Sequence, residues 1–347
     1  MKQIENKLIT GLIESLKTLE TPIVIIPHMN PDGDAIGSSL GFGRVLRNSG
    51  KIVSVIAPDS FPSFYKWMTG SRDIILYNND KKKADEKINE AGMIICMDFN
   101  EISRTGNMAS VIENFKGKRI LIDHHPEPQC FADITFSYPD SSSSSELAFH
   151  IINEMGYENF IDKESAECLY CGIMTDTGSF DYSIRDPQTF RSLSDLITYS
   201  IDPIEIHHNV FDTYSEDRMR LLGYCLSEGM EVFPEYNAAM ISLPRDIQKR
   251  FNYVKGDNEG FVNYPLSIKG IRFSVLFSEI KDQVKVSLRS TGSFSVTEIA
   301  RDYYNGGGHC NASGGEISNM SLEEVKAQFR KNLPEYIKNM EKEKEGK

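Results

Sequence analysis

PIVIIPHMNPDGDAIGSSLGFGRVLRNS, residues 22–49, opens on a short apolar, β-branched run and closes on a stretch of helical character. Residues 22–28 read as a buried strand, because an unbroken apolar run of this length suits a strand covered on both faces. A helix is expected over residues 34–49. Between the two, His28-Met29-Asn30-Pro31-Asp32-Gly33-Asp34 sets an imidazole and two carboxylates where the strand ends. Outward from this unit, residues 51–57, 93–99 and 119–124 read as further strands. Helices fill the gaps, except for a polar loop expected at 78–83. Such a βαβ rhythm implies a parallel sheet with helices on both faces. Ligands of these sheets sit beyond the carboxyl ends of the strands.

Upstream, Leu8, Ile9, Leu12, Ile13, Leu16 and Leu19 follow helical spacing in a segment that carries acids, so it reads as a core-facing helix and not as a signal peptide. Downstream, the five serines at 141–145 precede Glu146-Leu147-Ala148-Phe149 and read as a capped helix start instead of a linker. Residues 163–178 and 187–199 read as helices, and 203–229 as largely helical. The pattern then changes to strands at 238–243, 271–280 and 284–290, a helix at 296–304 and a glycine-rich turn. The expected fold class is therefore α/β with two domains. The first is a doubly wound, mostly parallel sheet (1–200). A helical linker (201–230) leads to a smaller mixed-sheet α/β domain (231–335), and a charged, frayed tail follows (336–347).

The chain has 347 residues, long enough for two cores, and is 40% hydrophobic. No apolar run approaches the ~20 residues of a membrane span, so a cytoplasmic location is expected. The net charge of −12 argues against a basic track along long RNA or DNA and favours small polyanions. Six cysteines in a chain of this length do not make a disulfide scaffold. The Cys168/Cys171 pair reads as helix packing.

Four segments carry the chemistry: His28 to Asp34, Cys96-Met97-Asp98, Asp123-His124-His125 and Met174-Thr175-Asp176. Each alone has an ordinary structural explanation, such as a turn at Asp32-Gly33-Asp34 or a helix cap at Asp98. Three of them end apolar strands, and parallel strand ends converge on one edge. Two histidines and four aspartates gathered there would repel one another strongly, and divalent cations remove that cost. Carboxylates with imidazoles suit Mn²⁺, Mg²⁺ or a similar ion. A shared carboxylate gives the ~3.5–4 Å separation of a two-metal hydrolytic site. His207-His208, with no acidic cluster beside it, reads as surface or packing.

The segments HMNPDGDAIGSSLG (28–41), MDFN (97–100), DHHP (123–126) and GIMTDTGSF (172–180), in this order, resemble the DHH phosphoesterases. GGGHCNASGG (306–315) is similar to the glycine-rich signature of the DHH-associated domain. The resemblance runs from about residue 5 to residue 330 and rests on five motifs in order. It implies that His28 and Asp32 hold one metal ion, that Asp34, His124 and Asp176 hold a second, and that Asp98 bridges them. Asp123 then holds His124 in place, and His125 faces the phosphate as donor or general acid. Substrate recognition falls to Arg289, Gly306, Gly307, Gly308 and His309, where glycines let the backbone approach a phosphate and the arginine fork suits two phosphate oxygens. The active-site cleft is expected between the two domains.

Within the family, a compact two-domain chain without membrane spans resembles the enzymes that degrade short RNAs and pAp. The expected activity is metal-dependent 3′–5′ hydrolysis of nanoRNA or pApA to mononucleotides, and of pAp to AMP. The expected cofactors are two divalent ions, Mn²⁺ first, with Mg²⁺ or Co²⁺ as substitutes. The expected partners are short oligonucleotides or small nucleotides and a second copy of the chain, with no long duplex and no membrane. The alternatives are a cyclic di-AMP phosphodiesterase, an exopolyphosphatase-type hydrolase and a non-catalytic nucleotide-binding module. The complete set of candidate metal ligands argues against the last.

Overall fold

The computed structural model describes residues 4–181, 184 and 186–345. Its contacts divide the chain into two compact units, Met1–Thr213 and Tyr214–Lys347.

The first unit begins with α1 (Asn6–Thr18), β1 (Ile23–Pro27), α2 (Gly33–Asn48), β2 (Val53–Ala57) and β3 (Ile75–Leu76). It continues through α3 (Lys81–Glu90), β4 (Met93–Met97), α4 (Ala109–Asn114), β5 (Lys118–Asp123) and β6 (Ile134–Ser137). Four helices close it: α5 (Ser144–Glu154), α6 (Lys163–Asp176), α7 (Pro187–Ile197) and α8 (Pro203–Phe211). The strands form one sheet in the order β3-β2-β1-β4-β5-β6, and every pairing is parallel. β1 and β4 are completely buried, which is why their sequences are apolar on both faces. The chain winds from β1 outward to β3 and then crosses back to lay β4 beside β1. The strand order thus reverses at the β1/β4 boundary, where open α/β sheets bind ligands.

Gly33, Gly37 and Gly41 of α2 recur every fourth residue and face α6. A Cβ on Gly37 would lie 2.5 Å from the Cys168 carbonyl oxygen, and one on Gly41 would lie 2.6 Å from Leu169 Cγ. One on Gly33 would strike the Thr175 side chain. Backbone-to-backbone approach along this stripe draws the start of α2, with Asp34, toward the end of α6, with Asp176. Cys168 and Cys171 are buried on α6, and all six cysteines are free thiols.

Of the polar loop expected at 78–83, Asn78 and Asn79 lie in a turn, and Lys81, Lys82 and Lys83 open a helix. The Asp80 side chain accepts from the Lys83 N–H and caps α3, so its acid and lysines mark a helix entry. β3 and β6, short outermost strands of the sheet, are additions to the strands expected from the sequence.

The second unit comprises α9 (Glu216–Ser227), β7 (Met230–Phe233), β8 (Ala238–Leu243), α10 (Arg245–Arg250), β9 (Phe273–Ile280) and β10 (Gln283–Ser290). It ends with α11 (Thr297–Tyr304), β11 (Gly307–His309), β12 (Ala312–Ser318) and α12 (Leu322–Glu345). Its sheet runs β11-β12-β10-β9-β8-β7. The β8–β9 pair is parallel and the others antiparallel, so the sheet is mixed. Phe273, Phe277, Tyr304, Phe329 and Tyr336 fill its core. The helical stretch expected at 203–229 is two helices. Ser215, which accepts from the Arg218 N–H, caps the second, and the boundary between the units falls between them. α12 continues to Glu345 through the expected tail, of which Gly346 and Lys347 lie outside the described residues. Among the described residues, no helix is long and apolar enough to cross a membrane.

Candidate active site

Each candidate ligand of the first unit stands at an element terminus beside the β1/β4 boundary. His28 follows β1. Asp32 caps α2, accepting from the N–H groups of Asp34 and Ala35. Asp34 lies in the first turn of α2. Asp98 follows β4 with a left-handed backbone (φ 66°), which aspartate tolerates better than most residues, and its N–H donates to the Ile122 carbonyl at 3.0 Å. Asp123 is the last residue of β5, with His124 and His125 directly after it. Asp176 ends α6.

These residues meet in two groups. In the first, His28 Nε2 lies 3.4 Å from Asp98 Oδ2 and 3.9 Å from Asp32 Oδ2. In the second, His124 Nε2 lies 3.3 Å from Asp176 Oδ2 and 3.9 Å from Asp34 Oδ2. The same imidazole nitrogen is 3.7 Å from Asp98 Oδ1. Asp98 therefore turns one carboxylate oxygen toward each histidine. Each of the trios His28/Asp32/Asp98 and Asp34/His124/Asp176 could hold a metal ion, with potential ligand atoms within 4.8 Å of one another. The structure brings together, in each trio, residues that the family resemblance places around one ion.

Gathering these charges in a buried place shifts their proton affinities. Burial, followed by the charges of Asp98 and Asp176, holds the Asp34 carboxyl well above its ordinary range. Burial alone would push Asp98 up, but its hydrogen bond to His28 and the charges of His125, His28 and His124 bring it below the usual carboxylate range. Burial likewise opposes charge on His28 and His124, and neighbouring carboxylates outweigh it, so both imidazoles are raised. Asp34, His28 and His124 thus hold protons more tightly than usual, and imidazole–carboxylate sets of this kind suit divalent transition ions.

Asp123 does not hold His124, as the motif implied. Its Oδ1 lies 2.7 Å from His125 Nδ1. Burial, then repulsion from Asp98, raises Asp123 to about 7. His124 Nδ1 is instead 3.3 Å from the Ser141 carbonyl, which sets its ring so that Nε2 faces the carboxylates. The other ring nitrogen of His125 lies 2.8 Å from Arg104 Nη1. Nothing in the sequence singles out Arg104, which follows Asp98 by six positions in a stretch with no recognisable pattern.

The serine run also belongs to the site, beyond its expected role as a helix start. Ser143 caps α5 as expected. In addition, the N–H groups of Ser144 and Ser145 donate to Asp34 Oδ2 and Oδ1 at 2.6 and 2.8 Å. Ser144 Oγ donates to Asp98 Oδ1 at 2.8 Å. The unbonded amides of a helix N-terminus are suited to a carboxylate, and serines at such a start are the only signal the sequence carries. Buried Glu146 accepts from the Ser142 N–H and Oγ at 2.9 and 2.7 Å and from Thr189 Oγ1 at 3.1 Å, so it anchors the serine loop.

In the second unit the expected glycine turn is a hairpin of β11 and β12. His309 and Arg289 both stand opposite Ala312, one on each side of it. Cross-strand partners project to the same face of a sheet, so an imidazole and a guanidinium flank a small side chain there. Arg289 Nη1 donates to the Leu288 carbonyl at 3.0 Å, while its buried Nε has no partner. Gly308 has φ 139°, and a Cβ there would lie 2.6 Å from the Ala312 carbonyl oxygen. A Cβ on Gly306 would strike the Gly314 backbone, whereas one on Gly307 would meet nothing within 4 Å. His207 and His208 lie on α8, each 3.7 Å from Asp212.

A doubly wound α/β unit with paired histidine–carboxylate trios at its switch point, followed by a mixed-sheet unit, defines the architecture of a DHH-type protein. Residues 22–173 match the DHH family, N-terminal domain, and residues 243–339 match the DHHA1 domain; the chain belongs to the DHH family with a DHHA1 domain. It is 29% identical over 314 residues to the bifunctional oligoribonuclease and PAP phosphatase NrnA of Thermus thermophilus, covering 90% of this chain and 89% of that one. It is 28% identical to the NrnA protein of Bacillus subtilis, covering 89% and 93%. Its structure resembles that of an exopolyphosphatase-related protein from Bacteroides fragilis, with a TM-score of 0.92, 45% identity and coverage of 98% and 99%.

Proposed function

We propose that this chain is a two-metal phosphoesterase, with Mn²⁺ as its preferred ion, that hydrolyses short oligonucleotides such as pApA from the 3′ end and removes the 3′-phosphate of pAp. The observation that carries the reading is the placement of Asp98, whose Oδ2 faces His28 at 3.4 Å and whose Oδ1 faces His124 at 3.7 Å. His28, Asp32 and Asp98 would hold one ion, and Asp34, His124, Asp176 and Asp98 the other. When bound, the ions supply Lewis acidity, lowering the pKa of water and neutralising charge on the phosphate.

The chain's own groups prepare this centre. The Ser144 and Ser145 amides fix both oxygens of Asp34, and the Ser144 hydroxyl leaves Asp98 Oδ2 free to face His28. Arg289 and His309, beside the open backbone at Gly307, would bind a phosphate of the substrate. The net charge of −12 offers little attraction to a long strand. The reading includes a cytoplasmic location and a homodimer.

The test is a set of initial rates in Mn²⁺ for pAp, pApA, cyclic di-AMP, polyphosphate and RNAs of increasing length. Efficiency is expected to fall at least about tenfold from the best short RNA to one of about 24 residues, since phosphates outside the site gain little on an acidic exterior. Equal efficiency on the long RNA would make the protein a single-strand exonuclease, and preference for polyphosphate would favour the type named for the Bacteroides fragilis protein. Asp98→Ala is expected to keep less than about a tenth of the rate, because Asp98 is the one carboxylate proposed as a ligand of both ions.

A further inference from the structure

Arg104 lies in the tight 3₁₀ turn Ile102–Met108. Its carbonyl accepts from the Met29 N–H at 2.7 Å, which straps its backbone to the segment carrying His28 and Asp32. Its side chain is half-buried, with Nη1 2.8 Å from His125 Nε2. A guanidinium has only donors, so Nε2 accepts this bond. His125 Nδ1 then donates to Asp123 Oδ1 at 2.7 Å. Both ring nitrogens of His125 are thereby engaged, and the imidazole has no free N–H to offer a phosphate. The positive charge at this edge of the site belongs to Arg104, which makes no ion pair with a carboxylate among the described residues.

We propose that Arg104 is a catalytic residue that donates to a non-bridging oxygen of the phosphoryl group under attack. The inference rests on the phosphoesterase reading above. In the reaction a water oxygen forms the new bond to phosphorus, and the bond to the leaving nucleoside oxygen breaks with its electron pair passing to that oxygen. One proton of the water ends on the leaving oxygen. Arg104 exchanges no proton. It offers a planar fork matched to two phosphoryl oxygens, poised where negative charge grows in the transition state. Asp123 and His125 act through it as positioning residues, orienting the guanidinium from behind.

The experiment compares the full-length wild type with Arg104→Ala and Arg104→Lys, each loaded with Mn²⁺. It measures kcat and KM on pAp, Mn²⁺ affinity by calorimetry, and binding of inorganic phosphate to the Mn²⁺-loaded protein. Arg104→Ala is expected to lower kcat by about 10²–10³, the usual loss for one donor to a developing oxyanion. Phosphate binding should weaken about tenfold or more, as for loss of a charged hydrogen bond, with Mn²⁺ affinity unchanged. Added guanidinium should restore part of the Ala rate. Arg104→Lys keeps the charge without the fork and is expected between the two; it carries the test if the Ala protein does not fold. A kcat close to wild type in both variants overturns the proposal. So does a rate loss that parallels a fall in Mn²⁺ affinity, which would make Arg104 a support of the metal site. If wild-type protein hydrolyses none of the phosphoesters, the phosphoesterase reading fails by itself, while phosphate binding still decides whether Arg104 meets an anion.

Discussion

Ser144 Oγ donates to Asp98 Oδ1 at 2.8 Å, and the N–H of the same serine donates to Asp34 Oδ2 at 2.6 Å. One residue at the start of α5 thus orients two carboxylates that reach it from other parts of the chain. Ser144→Ala keeps the amide and deletes the hydroxyl, so Asp34 stays held while Asp98 loses one restraint. Removing a group that orients a metal ligand typically costs about 10–100-fold in metal affinity or activity. Mn²⁺ affinity by calorimetry is expected to weaken within that range with the fold intact by circular dichroism; affinity equal to wild type would show that Asp98 needs no help from the serine.

Proton competition gives the centre a pH dependence of defined sign. Asp34, His28 and His124 all bind protons more tightly than usual, and a metal ion must displace those protons. Below a raised pKa, each displaced proton weakens apparent affinity about tenfold per pH unit. Mn²⁺ binding is therefore expected to tighten as pH rises from about 6 to about 8, with proton release detectable as a buffer-dependent heat. Affinity that stays flat over this interval would mean that the ligands are already deprotonated in the folded chain.

Gly306 and Gly307, adjacent at the start of the hairpin, are of two kinds. Gly306→Ala drives a Cβ into the Gly314 backbone, so a loss of at least the ~1–3 kcal/mol typical of overpacking is expected in chemical denaturation. Gly307→Ala meets no atom, and its effect on stability is expected to stay within about 0.5 kcal/mol, as for an ordinary surface change. If the backbone at Gly307 approaches a phosphate, the same substitution raises KM. Equal stability losses at both positions would refute the division.

Arg289 and His309 share a face across Ala312. Arg289→Ala and His309→Ala are each expected to raise KM for pAp about 10–100-fold with a smaller effect on kcat, since a charged hydrogen bond is worth about 1.5–3 kcal/mol and lost uniform binding appears in KM. Steady-state kinetics on both variants suffices. An unchanged KM in both would remove this face from substrate recognition.

Much of the fold and the placement of the candidate ligands was legible because it is local. β1, β4 and β5 announce themselves as apolar runs, and a buried strand admits little else. His28, Asp98 and Asp123-His124-His125 follow those runs directly, and parallel pairing alone brings such ends to one edge. The glycines of α2 could be read in the sequence as well, although not the helix they admit. What the tertiary structure decided are relations between distant segments. The amides at the start of α5 that hold Asp34 lie 110 and 111 positions away. The choice of His125 over His124 as partner of Asp123 depends on side-chain orientation, which spacing leaves open: adjacent residues at a strand end can turn either way. Arg104 lies in a turn without periodicity, and its guanidinium reaches His125 only because the segments after β1 and β4 are tied together. Hydrophobic periodicity records which face a residue buries, whereas a hydrogen bond depends on position to within a few tenths of an ångström. That precision exists only once the sheet, its crossovers and the α2–α6 contact are packed.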